Sequence, residues 1–426
     1  MADNVAAPDA TRRAVDLRVN GARLLSRLAS LAELGAIEGG GCARLALTDA
    51  DRSGRDLVVA WMSDLELDVR IDAIGNVIAT WGGTARAPVM VGSHIDTVRT
   101  GGRYDGNLGV LAGLELIETV IQSGMRPKRP LAVAFFTNEE GARFSPDMLG
   151  SLTYAGGMAI EEALDIVSID GARLGDELLR IGYVGPHPCP GPAPHAYVEL
   201  HIEQGPVLDA EGIEIGVVEG VQGISWQELT VEGQANHAGT TPMSMRHDAG
   251  YAAAEIATFA RRLALEVGPP QVATVGSLRL HPDLVNVVAA EARLTVDLRN
   301  TDEAQLHDAE HRLVTFLRQL SEDEGVQISS RPLAQFAPVA FDSRVVELVE
   351  ATAQRLGHST RRLPSGAGHD AQMLARVCPS GMVFVPSVAG ISHNPAEYTA
   401  PDDLVAGANV LLQVVMALAD DDEVLG

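Results

Sequence analysis

Acidic and histidine side chains follow two of the most apolar segments of this chain. In PLAVAFFTNEEGARF, the adjacent carboxylates Glu139 and Glu140 come directly after an apolar run. In APVMVGSHIDTV, His94 and Asp96 come at the corresponding position. In this spacing the imidazole can be a metal ligand, and the carboxylate can hold the imidazole in its orientation. A structural histidine near a strand end has the same pattern.

Three more residues of the same types stand after other predicted strands or in turns. They are Asp105 in GGRYDGNLGV, His201 in AYVELHIEQGP and His393 in ISHNPAEYT. An aspartate among glycines is also ordinary in turns and helix caps. If the strands lie side by side, however, their carboxyl ends bring all these side chains to one sheet edge. Mixed imidazole and carboxylate ligands favour zinc, with manganese or cobalt able to substitute, and a shared carboxylate can bridge two ions.

The segments that carry these residues predict an α/β fold. Apolar positions at helical spacing predict a helix over residues 12–35, and a second helix is predicted over 109–122. Short apolar runs rich in β-branched residues predict the strands NVIATW, APVMVGSH, PLAVAFFTN and AYVELHIE. Continuous apolar strands that alternate with helices indicate a sheet covered on both faces.

A second domain is predicted inside the first. From 218 to 333 the pattern is strand (ISWQELTVEG), helix, strand (VATVGSLRL), strand (EARLTVDLR), helix and strand (VQISSRP), which is typical of a ferredoxin-like α+β unit. Afterwards SRVVELVEATAQRLG and GMVFVPS resume the alternation of the first part. We therefore expect a first catalytic part over 1–217, an inserted domain for substrate binding and dimerisation over 218–333, and a second catalytic part over 334–426.

Length, charge and cysteine content restrict the kind of protein. A chain of 426 residues is too long for one ordinary core, which agrees with two domains. Its net charge of −25 disfavours binding to nucleic acid or to anionic membranes. The three cysteines are far apart, and the late apolar run VAGANVLLQVVMALA is shorter than the roughly 20 residues of a membrane span. We expect a cytoplasmic protein.

Seven motifs in order resemble one known family. GSHIDT, YDGNLGV, TNEEGARF, HIEQGP, NHAGTTPM, GAGHDA and SHNPAEYT are similar to the motifs of the amidase and carbamoylase branch of the dinuclear zinc peptidase superfamily. That branch includes N-carbamoyl-L-amino acid hydrolases, β-ureidopropionase and allantoate amidohydrolase. The resemblance covers nearly the whole chain, including the inserted domain, and implies a zinc-peptidase-like catalytic domain with a mixed central sheet.

The resemblance also implies roles for the residues of the first domain. It implies that two divalent metal ions, zinc first or else manganese or cobalt, are bound by His94, Asp105, Glu140, His201 and His393. Asp105 would bridge the ions, and the partition of the other ligands stays open. Glu139 would be the general acid and base, and Asp96 would orient His94. This division suits the chemistry, because a carboxylate held by metal has its lone pairs occupied while its neighbour can carry protons.

Substrate contacts are implied in both domains. His237 in NHAGTTPM would support the oxyanion, often from the partner subunit of a homodimer. Asn286 and Arg299 would hold the carboxylate of the substrate, and Gln204 and Gly368 would be further contacts.

The alternation of EARLTVDLR supports part of this assignment. It puts Arg293, Asp297 and Arg299 on one face of a strand and the apolar residues on the other. A planar guanidinium suits bidentate binding of a carboxylate. The pattern alone does not separate Arg293 from Arg299.

The implied activity is hydrolysis of the C–N bond of a ureido group in a small carboxylate. An N-carbamoyl-L-amino acid or N-carbamoyl-β-alanine is the first choice, with release of carbon dioxide, ammonia and the amino acid. The alternatives are allantoate hydrolysis, a peptidase or aminoacylase, and a non-catalytic metal-binding relative. Many peptidases of the superfamily have an acid where this chain has His201, which favours the amidase branch.

Overall fold

The computed structural model describes residues 17–83, 85–420 and 424–425. Within that part, one compact unit reaches Glu219 and resumes at Phe341, and a second comprises Gly220–Ala340. The boundaries predicted at 217/218 and 333/334 both fall inside strands. The strand that contains 333/334 continues to Phe336, beyond its predicted end, and the strand that contains 217/218 was not predicted as an element of its own. Both boundaries are therefore displaced by several residues.

The helices and strands are numbered along the chain. The α-helices are α1 (Gly21–Ala32), α2 (Asp49–Asp64), α3 (Asn107–Ser123), α4 (Leu149–Tyr154), α5 (Ile160–Asp165), α6 (Leu174–Ile181), α7 (Val207–Glu211), α8 (Ala249–Val267), α9 (Glu303–Glu324), α10 (Ser343–Arg355), α11 (Asp370–Leu374) and α12 (Pro401–Asp420). The strands are β1 (Asp68–Ile71), β2 (Val77–Trp81), β3 (Val89–His94), β4 (Leu131–Phe136), β5 (Ala196–Ile202), β6 (Ile215–Val221), β7 (Gly223–Glu232), β8 (Val272–Thr274), β9 (Leu278–His281), β10 (Glu291–Asn300), β11 (Gln327–Phe336), β12 (Val339–Ala340), β13 (Thr360–Ser365) and β14 (Ser380–Val385).

The first unit is built on a mixed sheet in the order β1-β2-β4-β3-β5-β14-β6, with β13 also paired to β6. The four central strands β4, β3, β5 and β14 are parallel and buried along their whole length. Helix α3 packs on β3, β4 and β5, and α12 packs on β5 and β14. The α/β class predicted from the apolar strands is confirmed, because strands with no polar face need cover on both sides.

Two helices of this unit differ from expectation. The helix predicted over 12–35 is shorter: α1 begins at Gly21, since the Asn20 side chain accepts a hydrogen bond from the Arg23 N–H and caps it. Residues 12–16 of that prediction lie outside the described residues. The late apolar run lies in a longer helix, α12, which begins at Pro401 and has 20 residues, enough to cross a membrane by length and composition. Most of α12 is buried against its own unit.

The second unit is an antiparallel sheet in the order β11-β7-β10-β8, with β9 also paired to β10. Apolar residues of the sheet pack with those of α8 and α9 in one core, where the rings of Phe259 and Phe316 stack 4.0 Å apart. The single strand expected over VATVGSLRL is wrong: it is two strands, β8 and β9. Between them Ser277 exchanges hydrogen bonds with the side chain and backbone of Thr295, which interrupts regular pairing.

Candidate functional site

The carboxyl ends of the central strands bring most of the predicted site residues together. His94 is the last residue of β3, and His201 is the sixth residue of β5. Glu139 follows the parallel strand β4 by three residues, and His393 follows β14 in a loop. All four line one open cavity. The parallel register of these strands is the reason, because their carboxyl ends must meet at the same sheet edge.

Asp105 reaches the same cavity from the loop that precedes α3. The next residue, Gly106, has a positive φ of 65°, and a side chain there would collide with the His94 ring. Only glycine therefore allows the loop to pass so close to the histidine. The Gly106 N–H donates to His201 Nε2 over 3.1 Å.

The two carboxylate oxygens of Asp105 face different partners. Oδ1 lies 3.1 Å from His201 Nε2 and 3.5 Å from His94 Nε2. Oδ2 lies 3.4 Å from His393 Nε2, and that nitrogen is 3.2 Å from Glu140 Oε2. Besides Glu199 with His201 and His369, two groups of possible metal ligands result, His94 with Asp105 and His201, and Asp105 with Glu140 and His393. Each group offers three donor atoms within 4.8 Å of one another. Asp105 is common to both, which is the arrangement of a bridging carboxylate.

The tautomers that hydrogen bonding selects for the buried histidines also suit metal binding. His94 Nδ1 lies 2.9 Å from the Asp96 carbonyl oxygen, and His201 Nδ1 lies 2.8 Å from that of Ile202. A carbonyl oxygen only accepts, so Nδ1 must carry the hydrogen in each ring. In the neutral rings this leaves the lone pair on Nε2, facing Asp105. The residues present therefore fit a divalent metal ion.

The electrostatics of the cavity favour positive charge. Burial alone raises the pKa of the Asp105 carboxyl, but its contacts with His201, His393 and His94 outweigh burial and hold that pKa well below the usual range. Hydrogen bonds with Asp105 and Glu140 raise the pKa of His393 to about 10. These carboxylates thus stabilise cations at the histidine positions, a role that protons or bound metal ions can fill.

Glu139 differs from its neighbour Glu140 in its surroundings. Its Oε2 lies 3.2 Å from His94 Nε2, and it belongs to neither donor group among the described residues. Burial, and then the negative charges of Asp370 and Glu140, raise the pKa of the Glu139 carboxyl well above its usual range. Glu140 instead accepts from the Val98 N–H over 3.2 Å and contacts His393. The two adjacent acids therefore have separate partners.

Asp96 makes a different contact from the one expected. Asp96 contacts His94 Nδ1 through its backbone carbonyl oxygen and not through its carboxylate, and its role in orienting His94 stays a prediction. The carboxylate oxygens accept instead from the backbone N–H groups of Glu139, at 3.2 Å, and Glu140, at 3.3 Å. The side chain is buried, so it holds the turn that carries both acids.

Gln204 and Gly368 also line the cavity. Gln204 has a positive φ of 57°, and its Nε2 donates to Asp105 Oδ2 over 2.9 Å. A side chain on Gly368 would press on Met148. The cavity is further lined by Asp147, which the sequence did not single out because it lies in an ordinary turn sequence, SPD.

The remaining predicted residues belong to the second unit. His237 is exposed and pairs with Val287, and the Ala238 N–H donates to the Asn286 carbonyl, so the two loops lie side by side. Arg299 lies over the Trp226 ring, 5.5 Å from its centre. Its Nη2 is 2.9 Å from Asp297 Oδ2.

The two arginines of β10 that the pattern left unseparated have different surroundings. Arg293 is 61% exposed and contacts Glu291, whereas Arg299 is 22% exposed. The alternation predicted for this strand is confirmed, since Ala292, Leu294, Val296 and Leu298 are buried. The roles of His237, Asn286 and Arg299 toward a substrate stay predictions.

Sequence reasoning missed Glu397 and Glu199. Glu397 is buried and accepts from the backbone N–H of Asp105 over 3.2 Å. Glu199 accepts from Ser93 Oγ over 2.6 Å, and so links β3 to β5 beneath the cavity. Their positions in SHNPAEYT and AYVELHIE offered a signal, because each is an acid four or two residues from a predicted ligand.

The fold and site define an α/β protein with a candidate centre for two metal ions. The chain belongs to peptidase family M20/M25/M40, whose match spans residues 90–417. It is 42% identical over 98% of its length to an N-carbamoyl-L-amino-acid amidohydrolase of Rhizobium meliloti, of which 99% is covered. A protein of that name from Geobacillus stearothermophilus is 39% identical over 95% of this chain and 100% of its own.

A ureidoglycolate hydrolase of Arabidopsis thaliana is also similar, with 35% identity over 89% of this chain and 82% of its own. Among solved structures, an amidase of the hydantoinase/carbamoylase family from Burkholderia multivorans has a TM-score of 0.93. It is 43% identical to this chain and covers 95% of it and 99% of its own length. The resemblance drawn from the seven motifs is confirmed.

Proposed function

We propose that this protein hydrolyses the ureido C–N bond of N-carbamoyl-L-amino acids. The observation that carries the proposal is the pair of donor groups that share Asp105, with Glu139 beside them and outside both. Similarity over nearly the full chain to an N-carbamoyl-L-amino-acid amidohydrolase supports the substrate class.

We further propose that two divalent ions bind here. His94, Asp105 and His201 would hold one, and Asp105, Glu140 and His393 the other. Zinc is the first choice for such nitrogen and oxygen ligands, and manganese or cobalt can substitute. The chemistry that two divalent ions supply when bound is to acidify water and to polarise a carbonyl oxygen.

Glu139 would move the proton. It would take one from the water that attacks the carbamoyl carbon, and the bond from that carbon to the nitrogen of the amino acid would then break. Glu139 would return the proton to this nitrogen. The products are the amino acid and carbamate, which decomposes to carbon dioxide and ammonia. The separate contacts of Glu139 and Glu140 support proton transfer by Glu139 and metal binding by Glu140.

Further residues are proposed to bind the substrate. Gln204 and Gly368 line the cavity, which supports contact with the ureido group. In the second unit, His237 would donate to the oxyanion, while Asn286 and Arg299 would hold the carboxylate. We also propose a homodimer, with the second unit as its dimerisation domain, in the cytoplasm. The three cysteines, all free and buried, are consistent with a reducing compartment.

A second candidate substrate is ureidoglycolate, because a ureidoglycolate hydrolase is 35% identical over most of this chain. Ureidoglycolate also carries a ureido group and a carboxylate. The site residues of the first unit would act equally on the ureido group of either substrate. Contacts with the rest of the substrate would therefore decide which substrate is preferred.

A substrate panel tests these proposals. The purified protein, loaded with zinc, manganese or cobalt, is assayed for ammonia release from N-carbamoyl-L-amino acids, N-carbamoyl-β-alanine, ureidoglycolate and allantoate, and for cleavage of dipeptides. We expect the highest kcat/KM with an N-carbamoyl-L-amino acid, and loss of activity on chelation with recovery on adding metal. Cleavage of dipeptides alone would establish a peptidase instead. Full activity in metal-stripped protein would refute the metal centre.

A further inference from the structure

The bridging position of Asp105 depends on how its own backbone is held. Asp105 lies in a glycine-rich loop, GGRYDG, yet the residue is only 3% exposed. Each oxygen of its carboxylate must face a different set of ligands. A small displacement of the loop would therefore disturb both donor groups at once.

Glu397 lies in a second loop, after β14, and hydrogen-bonds to the loop of Asp105. Its Oε1 accepts from two consecutive backbone N–H groups, Tyr104 at 3.0 Å and Asp105 at 3.2 Å. Its Oε2 accepts from Ser392 Oγ over 3.1 Å, and that hydroxyl lies 3.3 Å from Asp105 Oδ2. Glu397 thus contacts the bridging residue through its backbone, and through Ser392 it also reaches the carboxylate.

Gly102 makes room for this contact. A side chain at Gly102 would overlap the carboxyl group of Glu397, whereas its backbone has no positive φ that would itself demand glycine. The close approach of the Glu397 carboxyl group therefore explains why residue 102 is a glycine. The same carboxylate is buried at 5% exposure, so it is an internal connection between the loops of Asp105 and His393 and not a surface acid.

We propose that Glu397 is a positioning residue that fixes Asp105 as the ligand shared by both metal sites. This inference rests on the proposed dinuclear centre. Because Asp105 belongs to both donor groups, loss of Glu397 should weaken both metal sites together. Loss of a residue that contacts only one group, such as Glu140, should weaken one.

The experiment compares metal binding by titration calorimetry and by competition with a chromophoric chelator. We expect Glu397→Ala to lower the affinity of both sites about 10- to 100-fold, as for other residues that hold metal ligands. Glu397→Gln can still accept from both backbone N–H groups through its amide oxygen, so its affinities should stay within about threefold of the wild type. Gly102→Ala should lower both affinities as Glu397→Ala does. It tests the proposal if Glu397→Ala does not fold.

A readout without metal separates positioning from general stability. In chelator-treated protein, hydrogen exchange at the Tyr104 and Asp105 amides should speed up at least tenfold in Glu397→Ala and not in Glu397→Gln. Asp72→Asn is the matched control, because Asp72 is a buried carboxylate that likewise accepts from two backbone N–H groups, Ile74 and Asn76, and does not line the cavity. Its metal affinities should equal those of the wild type.

The possible results lead to different conclusions. Wild-type affinities in both Glu397→Ala and Gly102→Ala would overturn the inference while leaving the metal centre intact. Equal losses in Glu397→Ala and Glu397→Gln would also overturn it, since charge and not positioning would then be the cause. If the wild-type protein binds no more than one ion, the proposed dinuclear centre itself is wrong.

Discussion

The adjacent acids Glu139 and Glu140 should respond differently to the same chemical change. Replacement of either by glutamine keeps the size of the side chain and removes its ability to be an anion or a base. Glu139 contacts His94 and stands outside both donor groups, whereas Glu140 belongs to the group with Asp105 and His393. We therefore expect Glu139→Gln to keep metal and lose turnover, and Glu140→Gln to lose metal.

The magnitude for Glu139→Gln follows from its role in proton transfer. General acid and base catalysis contributes about 10²- to 10⁴-fold, so kcat should fall by that factor, or about 3 to 5 kcal/mol in activation free energy. The metal content should stay at that of the wild type. Its backbone N–H still bonds to Asp96, so the turn that carries both acids should keep its conformation.

The magnitude for Glu140→Gln follows from counting ligands. One donor group keeps all three members, His94, Asp105 and His201, while the other retains two of its three. The variant should therefore hold one ion firmly and bind the second at least tenfold more weakly. Added metal should restore part of its activity, which it should not do for Glu139→Gln.

The assay combines elemental analysis of dialysed protein, calorimetric titration of metal-free protein and ammonia release at rising metal concentration. Thermal unfolding of the metal-free variants controls for misfolding. If both variants lost metal to the same extent, or if Glu139→Gln kept more than about a tenth of the wild-type kcat, the separation of roles would be refuted.

Three further predictions concern the second unit and the pH dependence of stability. His237→Ala should lower kcat about 10²- to 10³-fold with unchanged metal content, as for loss of one oxyanion donor, and normal turnover would remove its proposed role. Arg299→Ala should raise KM for carboxylate substrates about 10- to 100-fold, because it removes hydrogen bonds to a charged group. KM for the corresponding amides should rise far less, and an equal rise for both would indicate a structural role. Burial raises the pKa of Asp72 from 3.8 to about 6, so the folded state binds its proton more tightly and stability should fall by about 3 kcal/mol as pH rises through this interval. Urea denaturation of metal-free wild type and Asp72→Asn at pH 4 and pH 7 measures this, and an equal pH dependence in both proteins would contradict it.

The sequence predicted the central part of the fold well. The strands β3, β4, β5 and β14 are continuous apolar runs, and burial on both faces leaves such runs few other structures to adopt. The alternation in β10 likewise predicted which side chains face the core. Helix ends were predicted less well where a local contact overrides the apolar pattern. The Asn20 cap, for example, starts α1 nine residues after residue 12, its predicted beginning.

The sequence also determined which residue types stand at the carboxyl ends of those strands, and hence the chemistry available at one sheet edge. Only the tertiary structure decided how Asp105 divides its two oxygens, that the Asp96 carboxylate holds the turn of Glu139 and Glu140, and that Glu397 holds Asp105. These contacts join residues up to about 300 positions apart. They also require backbone conformations, such as the positive φ of Gly106 and His393, that no local pattern specifies, because packing around the cavity selects them.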